Sequence, residues 1–297
     1  MVFYREPDII QFCLEKLSTI YGTSVQLKSS CSVGGGCINN GLKLSTSEGD
    51  FFLKWNSDCP NDMFAKEAAG LQEMSQANSL LVIPNVVFYS TNSDFVGILL
   101  MEFLQRSQYS QGFDEQLGRG LAQLHRKTDD SYGFYHSNYC GTTIQENTRT
   151  ENWVEFYGQY RISKLVTQLK SKRKLSAEDI KIYEKLIDRL PALLPQHTVP
   201  SLIHGDLWSG NYMFSAKGPA LIDPACYYAD REMELGMMKL FGGFSPKVWN
   251  AYQEEWPLPD GWQERNLLYQ LYHVLNHYLL FGGSYGWQAV DIAKKYL

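Results

Sequence analysis

"LIHGDLWSGN", Leu202 to Asn211, concentrates His, Asp and Asn in one short loop, and "IDPA" follows after a short apolar stretch that predicts a strand. Asp206 and Asn211 are five positions apart, and Asp223 lies 17 positions after Asp206. "HGD" alone is compatible with an ordinary turn. The full spacing matches a kinase catalytic loop, in which an Asp accepts a hydroxyl proton and an Asn and a later Asp bind the metal. The stretch therefore predicts a site for a metal-bound phosphate.

A glycine-rich turn lies far upstream, in "SVGGGCINN", where Gly34, Gly35 and Gly36 separate two predicted strands. Consecutive glycines let backbone N–H groups approach and cradle a phosphate. The stretch does not match the pattern G-x-x-x-x-G-K-[ST], and a plain hairpin turn explains it equally well. Cys37 follows the glycines, beside amides that would stabilise a thiolate, so it is a candidate redox residue or an inert small one.

Lys54 interrupts the apolar strand "FFLKW", and its charge must find a partner, a ligand or water. A lysine on an edge strand facing solvent is the simplest alternative. Glu67 lies in the helix that follows, and a strand Lys paired with a helix Glu orients the lysine towards nucleotide phosphates in kinases. Glu73 on the same helix is a second candidate partner.

The periodicity predicts two unequal lobes. The first hundred residues, after an N-terminal helix in "PDIIQFCLEKLSTIYG", predict three strands, a helix and two more strands. The rest is mainly helical, with helices predicted at residues 113–128, 153–169, 177–190 and 263–280. The polar text "LQRSQYSQG" marks the boundary, which gives domains 1–104 and 105–297. Clefts between such lobes are common ligand sites.

The composition excludes several classes of protein. A formal net charge of −5 gives no reason to expect nucleic acid as a partner, and no apolar run approaches the roughly 18 to 20 residues that span a membrane. The first ten residues lack the basic-then-apolar order of a secretory signal. The six cysteines form no C-x-x-C pair, which favours free thiols in a reducing, cytoplasmic protein.

Four stretches, "HGDLWSGN", "IDPA", "MELGMMKLFGGF" and "GGGCIN", closely resemble the fructosamine kinase, or ketosamine-3-kinase, family. "HGD" with a later Asp is common to the wider superfamily of aminoglycoside phosphotransferases, whereas "HGDLWSGN" with "LFGGF" is much narrower. The resemblance extends over nearly the whole chain. It implies an α+β, bilobal protein-kinase-like fold, with a small antiparallel-sheet N-lobe and a larger, mainly helical C-lobe.

The resemblance also implies roles for single residues, with ATP and Mg²⁺ as the cofactors. Asp206 would be the catalytic base, Asn211 and Asp223 would hold Mg²⁺, and His204 would brace the loop. Lys54 would bind the ATP phosphates and Glu67 would hold Lys54. The remaining nucleotide contacts would come from the glycine turn, Gly34 to Gly36, and from the hinge, Glu102, Phe103 and Leu104.

The implied acceptor is a ketosamine, free or on a glycated protein. Phosphorylation at the 3-hydroxyl yields an unstable phosphate whose elimination frees the amine, a form of protein repair. Trp208 would stack on the sugar or on the alkyl chain, unless it is a core residue. The alternatives are a kinase for aminoglycosides, choline or homoserine, and a pseudokinase. The chain would act as a monomer or homodimer.

His273 and His277 are one helical turn apart and could form a metal pair. No third ligand is evident in the sequence, so core or surface histidines are the favoured interpretation.

Overall fold

The computed structural model describes residues 5–34, 39–91 and 96–297. Within these ranges a five-stranded antiparallel sheet precedes a mainly helical region. This arrangement confirms the predicted α+β class, with a small sheet lobe before a larger helical lobe. The sheet ends at Glu102 and the next helix begins at Phe113. The division of the chain at residue 104 remains a prediction.

The N-lobe sheet places Lys54 by simple alternation. Phe51 and Leu53 are buried on one face of their strand, so Lys54 projects from the opposite face. The strands are ordered β1-β2-β3-β5-β4. Their bounds are β1 Leu27–Ser32, β2 Asn40–Thr46, β3 Gly49–Asn56, β4 Val86–Ser90 and β5 Gly97–Glu102.

Two helices cover the two faces of this sheet. Helix α1, Glu6–Tyr21, buries an apolar stripe that includes Cys13 and Leu17 against the face of Leu53. Helix α2, Met63–Ser75, packs Phe64 and neighbouring apolar residues on the other face. Lys54 therefore points towards α2, the helix that carries Glu67 and Glu73.

The C-lobe has one large apolar core, to which most of its helices and short strands contribute. The strand predicted just before "IDPA" is confirmed at Gly218–Leu221. The elements are α3 Phe113–His125, β6 Asn138–Cys140, β7 Thr143–Gln145, α4 Trp153–Phe156, a π-helix Tyr157–Ser163, α5 Lys164–Ser171, α6 Ala177–Leu193, β8 Ser201–Ile203, β9 Tyr212–Ser215, β10 Gly218–Leu221, β11 Tyr227–Ala229, α7 Glu232–Phe241, α8 Pro246–Glu255, α9 Trp262–Phe281 and α10 Tyr285–Lys294.

The helix predicted over residues 153–169 is present, but its middle turns are π-helical. Arg161 lies in this wide segment and is fully buried. Its guanidinium stacks on the Tyr227 ring, 3.9 Å from the centroid. It also donates hydrogen bonds to the Glu146 carbonyl and the Asn147 side chain, both at 2.7 Å. These contacts compensate for the burial of a charge.

Two short strands bring the predicted catalytic and metal-binding segments together. β8 pairs with β11 in an antiparallel ladder that sets Ile203 opposite Tyr227. The loop that begins at His204 and the segment that contains Asp223 therefore emerge side by side. In the part of the chain that the structure describes, no helix combines the length and apolarity needed to cross a bilayer.

Candidate active site

A cleft of about 890 Å³ separates the sheet from the helical region. Its volume suits a nucleotide together with a small acceptor. Residues from both lobes line it, so motifs that are far apart in the sequence meet at one cavity. The predicted site residues on its walls are Gly34, Lys54, Glu67, Glu102, Phe103, Leu104, Asp206, Trp208, Asn211 and Asp223.

Lys54 joins two carboxylates at the back of the cleft. Its Nζ lies 2.8 and 2.9 Å from the two carboxylate oxygens of Glu67, and 3.0 Å from Oδ1 of Asp223. Lys54 is only 7% exposed, so the alternative of a solvated edge lysine is wrong. Burial alone would lower the pKa of Lys54, but the two carboxylates outweigh it and raise that pKa. The lysine is therefore fully charged.

The second candidate partner, Glu73, is engaged elsewhere. Its carboxylate accepts a hydrogen bond from the Tyr228 hydroxyl at 2.7 Å and pairs with Lys127 at 2.9 Å. Glu67 is thus the glutamate that contacts Lys54.

Asp223 adopts a backbone conformation that is uncommon for a residue with a side chain. Its φ is +56°, one of two positive φ values among the described non-glycine residues. Such a conformation costs roughly 1 kcal/mol or more and is found mainly at functional sites. The contact with Lys54 shows where the turn directs the carboxylate.

The loop between Asp206 and Asn211 is closed by its own side chains. Nδ2 of Asn211 donates to the Asp206 carbonyl at 2.9 Å and lies 3.4 Å from the Asp206 carboxylate. The amide oxygen is therefore the atom of the Asn211 side chain that would be left to bind a metal. This residue is 6% exposed and lies on the cleft wall.

Two buried residues, Glu234 and His204, fix the position of the loop that contains Asp206. Glu234 accepts hydrogen bonds from the backbone N–H groups of His204, at 2.5 Å, and Gly205, at 3.2 Å. His204 donates from Nε2 to the Ile222 carbonyl at 2.8 Å, and its Nδ1 accepts from the Asp206 N–H at 3.3 Å. Burial lowers the pKa of His204, so the ring is neutral. His204 connects the loop to the Asp223 segment.

Asp206 lies in an environment that disfavours its charge. Burial, followed by the carboxylates of Glu234 and Asp223, raises the pKa of Asp206 to about 8, although Asn211 opposes the shift. Cations bound in the cleft would act in the opposite direction. A carboxylate with a raised pKa is a better proton acceptor than one in water.

The hinge at the end of β5 offers one free backbone donor. The N–H of Glu102 donates to the Asn85 carbonyl at 2.8 Å, and that of Phe103 donates to the Asp50 carbonyl at 3.2 Å. Both are therefore unavailable to a ligand. Leu104 also lines the cleft, and its N–H is the remaining backbone donor among these three residues; adenine binding here stays a prediction.

The glycine turn is described only in part. Gly34 follows β1 and lies on the cleft wall, and a Cβ placed on it would meet no atom within 4 Å. Gly35, Gly36 and Cys37 lie outside the described residues, so the phosphate-covering and redox predictions stay predictions. Among the described residues, Cys13, Cys31, Cys59, Cys140 and Cys226 form no disulfide bond.

Aromatic side chains from the loop after Asp206, from the ends of α7 and α9 and from the start of α10 line part of the cleft. Trp208 is half-buried and lies over Gly210, where no space remains for a Cβ. The His277 ring lies 4.9 Å from Phe241, 5.5 Å from Phe281 and 5.1 Å from Tyr285, between ring centroids. All of these residues line the cleft, so Trp208 is not a core tryptophan.

This aromatic wall was not predicted from the sequence, apart from Trp208. The available signal is a repeated "FGG", at Phe241 to Gly243 and at Phe281 to Gly283, which ends α7 and α9. The metal pair considered for His273 and His277 is not formed. Nδ1 of His277 donates to the backbone carbonyl of His273 at 2.8 Å, while the His273 ring is buried, 1% exposed.

The fold is shared with a class of enzymes, the phosphotransferases. An ADP-bound aminoglycoside phosphotransferase shares the fold with a TM-score of 0.60 at 14% identity, over 95% of this chain and 98% of that one. The chain therefore has the protein-kinase-like fold of the phosphotransferases, as predicted.

The family follows from closer similarity. The fructosamine kinase family model matches residues 9–297, and the chain belongs to that family of kinases. A protein-ribulosamine 3-kinase, chloroplastic, from Oryza sativa subsp. indica is 39% identical over 288 residues, 93% of this chain and 81% of that protein. A candidate fructosamine-3-kinase from Thermobifida fusca has a solved structure with a TM-score of 0.85 and 29% identity, covering 95% of this chain and 97% of that one.

Proposed function

We propose that this chain is an ATP- and Mg²⁺-dependent kinase that phosphorylates the 3-hydroxyl of ketosamines. One observation carries the proposal. The Lys54–Glu67–Asp223 ion cluster and the Asp206–Asn211 loop face the same cleft, and that cleft ends in an aromatic wall. This set contains every polar group that phosphoryl transfer requires from a protein.

The nucleotide would occupy the sheet side of the cleft. Lys54 is held by Glu67 in a single orientation, so its Nζ can bind the phosphates without first losing rotamer freedom. The Leu104 N–H would donate to the adenine. A phosphotransferase of the same fold binds ADP, which supports a nucleotide as one ligand of this chain.

The amide oxygen of Asn211 and the carboxylate of Asp223 would hold Mg²⁺. Both are hard oxygen ligands, and Mg²⁺ takes few ligands from a protein because phosphates and water supply the others. When bound, the ion would neutralise charge on the phosphates. The contact between Lys54 and Asp223 holds this carboxylate in the cleft.

Asp206 would accept the proton of the acceptor hydroxyl. A new bond forms between that oxygen and the γ-phosphorus, the bond from phosphorus to the β–γ bridging oxygen breaks, and ADP leaves. The burial that raises the pKa of Asp206 favours its role as a base, and Asn211 fixes its position. The transition state is loose, so positioning and charge neutralisation contribute most of the catalysis.

The acceptor would lie between Asp206 and the aromatic wall. A ketosamine carries a protonated secondary amine, which aromatic rings attract by cation–π interaction, and a sugar that can stack on Trp208. Apart from Asp206, the acidic residues that line the cleft are those of the phosphate and hinge regions, which disfavours a polycationic aminoglycoside. The rice relative is named for ribulosamine, and this sugar is our first choice.

The biological consequence would be deglycation. A 3-phosphate beside the ketone eliminates, and the amine of a small molecule or a protein is released. We propose the cytoplasm as the location of this kinase, whereas the rice relative is named as chloroplastic.

The test is ATP consumption by purified protein and Mg²⁺ against ribulosamine, fructosamine, free sugars, choline and kanamycin. We expect turnover with a ketosamine only, and none in Asp206→Asn. Trp208→Ala and His277→Ala should raise KM for the ketosamine and leave KM for ATP near its wild-type value.

Three results would contradict the proposal in different ways. Turnover of choline would support the kinase assignment but contradict the ketosamine as acceptor. Aromatic rings also bind quaternary ammonium groups. Full activity in Asp206→Asn would remove the assigned base. ATP binding without turnover on any acceptor would favour a pseudokinase.

A further inference from the structure

We infer that Cys140, Asp206 and His273 form a second cation site, which binds a thiophilic divalent metal such as Zn²⁺. A thiol sulfur, a carboxylate oxygen and an imidazole nitrogen from these residues lie within 4.8 Å of one another. They come from three separate parts of the C-lobe. Cys140 ends β6, Asp206 lies in the loop after β8, and His273 is in the middle of α9.

The imidazole supplies an independent sign of a missing partner. His273 is 1% exposed, and its Nδ1 makes no hydrogen bond although it is buried. A buried polar atom without a partner destabilises the folded state. Its α9 neighbour His277 uses Nδ1 to bond the His273 backbone and does not relieve the ring. A metal bound to the imidazole would provide a reason for a polar ring at this position.

A cation can reach the cluster from the cleft. Cys140 and Asp206 both line the cavity, and His273 stands behind them. The Cys140 thiol is held by Nδ2 of Asn276, at 3.3 Å from Sγ, so the sulfur is already fixed in position. Three protein ligands with one side open to solvent is the arrangement of an accessible zinc site.

The ligand types select zinc over magnesium. Sulfur and imidazole suit Zn²⁺ and other late divalent metals, whereas Mg²⁺ requires oxygen. A thiolate and a carboxylate also neutralise a dication. Burial and the nearby carboxylate of Asp206 raise the pKa of the Cys140 thiol, and Arg161 opposes this shift only in part, so the metal must displace the thiol proton when it binds.

The distances require a small adjustment. Ligand atoms around tetrahedral zinc are about 3.3 to 3.6 Å apart, so the cluster must contract by roughly 1 Å. Asp206 can supply this movement, because it is only half-buried and belongs to a loop.

The consequence for activity rests on the proposed function. If Asp206 is the base, a metal on its carboxylate removes the acceptor for the substrate proton. Zn²⁺ would then inhibit the kinase reversibly, at saturating ATP and Mg²⁺, from a site that Mg²⁺ does not occupy.

Binding is tested without reference to activity. Full-length protein, stripped of metal by chelator, is titrated with Co²⁺ and Zn²⁺ and followed by absorption spectroscopy and by equilibrium dialysis. We expect one ion per chain and a thiolate-to-cobalt charge-transfer band. The band should be absent in Cys140→Ser, and affinity should fall at least about tenfold in His273→Gln. Cys13→Ser, which changes a buried thiol of the N-lobe, is the matched control and should bind as wild type.

Either of two outcomes overturns the site: Co²⁺ binding without a thiolate band, or a band that persists in Cys140→Ser. Circular dichroism of each variant distinguishes lost ligation from lost folding, and His273→Gln gives a second reading if Cys140→Ser does not fold. Inhibition by Zn²⁺ is then measured in active variants. Failure of all acceptors would contradict the proposed function and leave the spectroscopic result intact.

Discussion

At the scale of single residues, Lys54 is the cation that holds the two carboxylates of the ion cluster together. It is buried, it bridges Glu67 and Asp223, and it projects from the sheet face that α2 covers. Lys54→Met would leave two carboxylates without their cation, and ATP would lose its phosphate ligand. We expect kcat/KM for ATP to fall by about 100-fold or more. Steady-state kinetics at saturating acceptor measures this change.

Two substitutions control the Lys54 experiment. Lys54→Arg keeps the charge but needs more space than a 7% exposed position offers, so it should not restore activity. Lys43→Met removes a lysine from the neighbouring strand, where it pairs with Asp50 at 2.6 Å outside the cluster. Its kcat/KM should stay near wild type. A similar loss of kcat/KM in Lys43→Met would mean that the effect of Lys54→Met is not specific to the ion cluster.

His273 gives a stability prediction with a defined sign. Burial lowers the pKa of His273 to about 3, from an ordinary value near 6.5 in the unfolded chain. Between these values the unfolded state binds more protons, so the folded state loses stability as pH falls below about 6.5. His273→Gln removes this contribution. With chelator present, wild type should lose about 1 kcal/mol more than the variant between pH 7 and pH 5.5.

Urea unfolding at the two pH values measures the difference. Equal losses in wild type and His273→Gln would mean that the ring is protonated in the folded state or is accessible to solvent.

At the scale of elements, helix α2 is attached to the segment after Asp223 at three successive turns. Glu67, Gly70 and Glu73 lie on one face, at spacings of three residues. Glu67 meets Lys54 beside Asp223, Gly70 packs on Pro224 and Cys226, and Glu73 bonds Tyr228. This arrangement holds the Lys54–Glu67 pair assembled without ligand.

Gly70 tests this attachment. A Cβ at this position would lie 3.0 Å from Sγ of Cys226 and 3.6 Å from Cγ of Pro224. Gly70→Val should push α2 away from the segment, and we expect KM for ATP to rise by about tenfold, equivalent to roughly 1.4 kcal/mol. Gly70→Ala should have a smaller effect, because its better helix propensity partly offsets the contact. Unchanged KM in Gly70→Val would mean that α2 moves without cost to the site.

At the scale of the whole molecule, the sequence predicted those parts of the candidate site whose residues lie close together in the chain or stand out in their local context. Asp206, Asn211 and Asp223 lie within one short region, and Lys54 was marked by its position in an apolar strand. The aromatic wall and the cluster of Cys140, Asp206 and His273 could not be predicted from the sequence in this way. Their members come from the loop after β8, from α7, α9 and α10, and from the β6–β7 hairpin, which are brought together only by packing of the C-lobe core.

The helix over residues 153–169 illustrates another limit. Its apolar period predicts a helix, but not the π-helical turns around Arg161, which accompany contacts with residues far away in the chain. The hinge is similar, because the engagement of the Glu102 and Phe103 N–H groups depends on Asn85 and Asp50. Such partners are fixed by tertiary structure.

Binding of ATP and Mg²⁺ across the two lobes should stabilise the entire fold. At roughly a hundredfold excess over Kd, linkage gives about 2.7 kcal/mol of additional stability. Thermal unfolding should show a clear rise in Tm with both ligands, and a smaller one with ATP and chelator. In Asp223→Asn the part that depends on Mg²⁺ should disappear. An equal shift with and without Mg²⁺ in wild type would contradict the assigned metal ligands.

The central claim is transfer of phosphate to the 3-hydroxyl of a ketosamine. The most direct measurement is NMR of the product formed from ATP, Mg²⁺ and a ribulosamine, with phosphorus–proton correlation to identify the modified position. The account predicts one phosphate on O3, subsequent release of the amine, and no product with Asp206→Asn. Phosphate on another hydroxyl, or turnover that persists in Asp206→Asn, would contradict it.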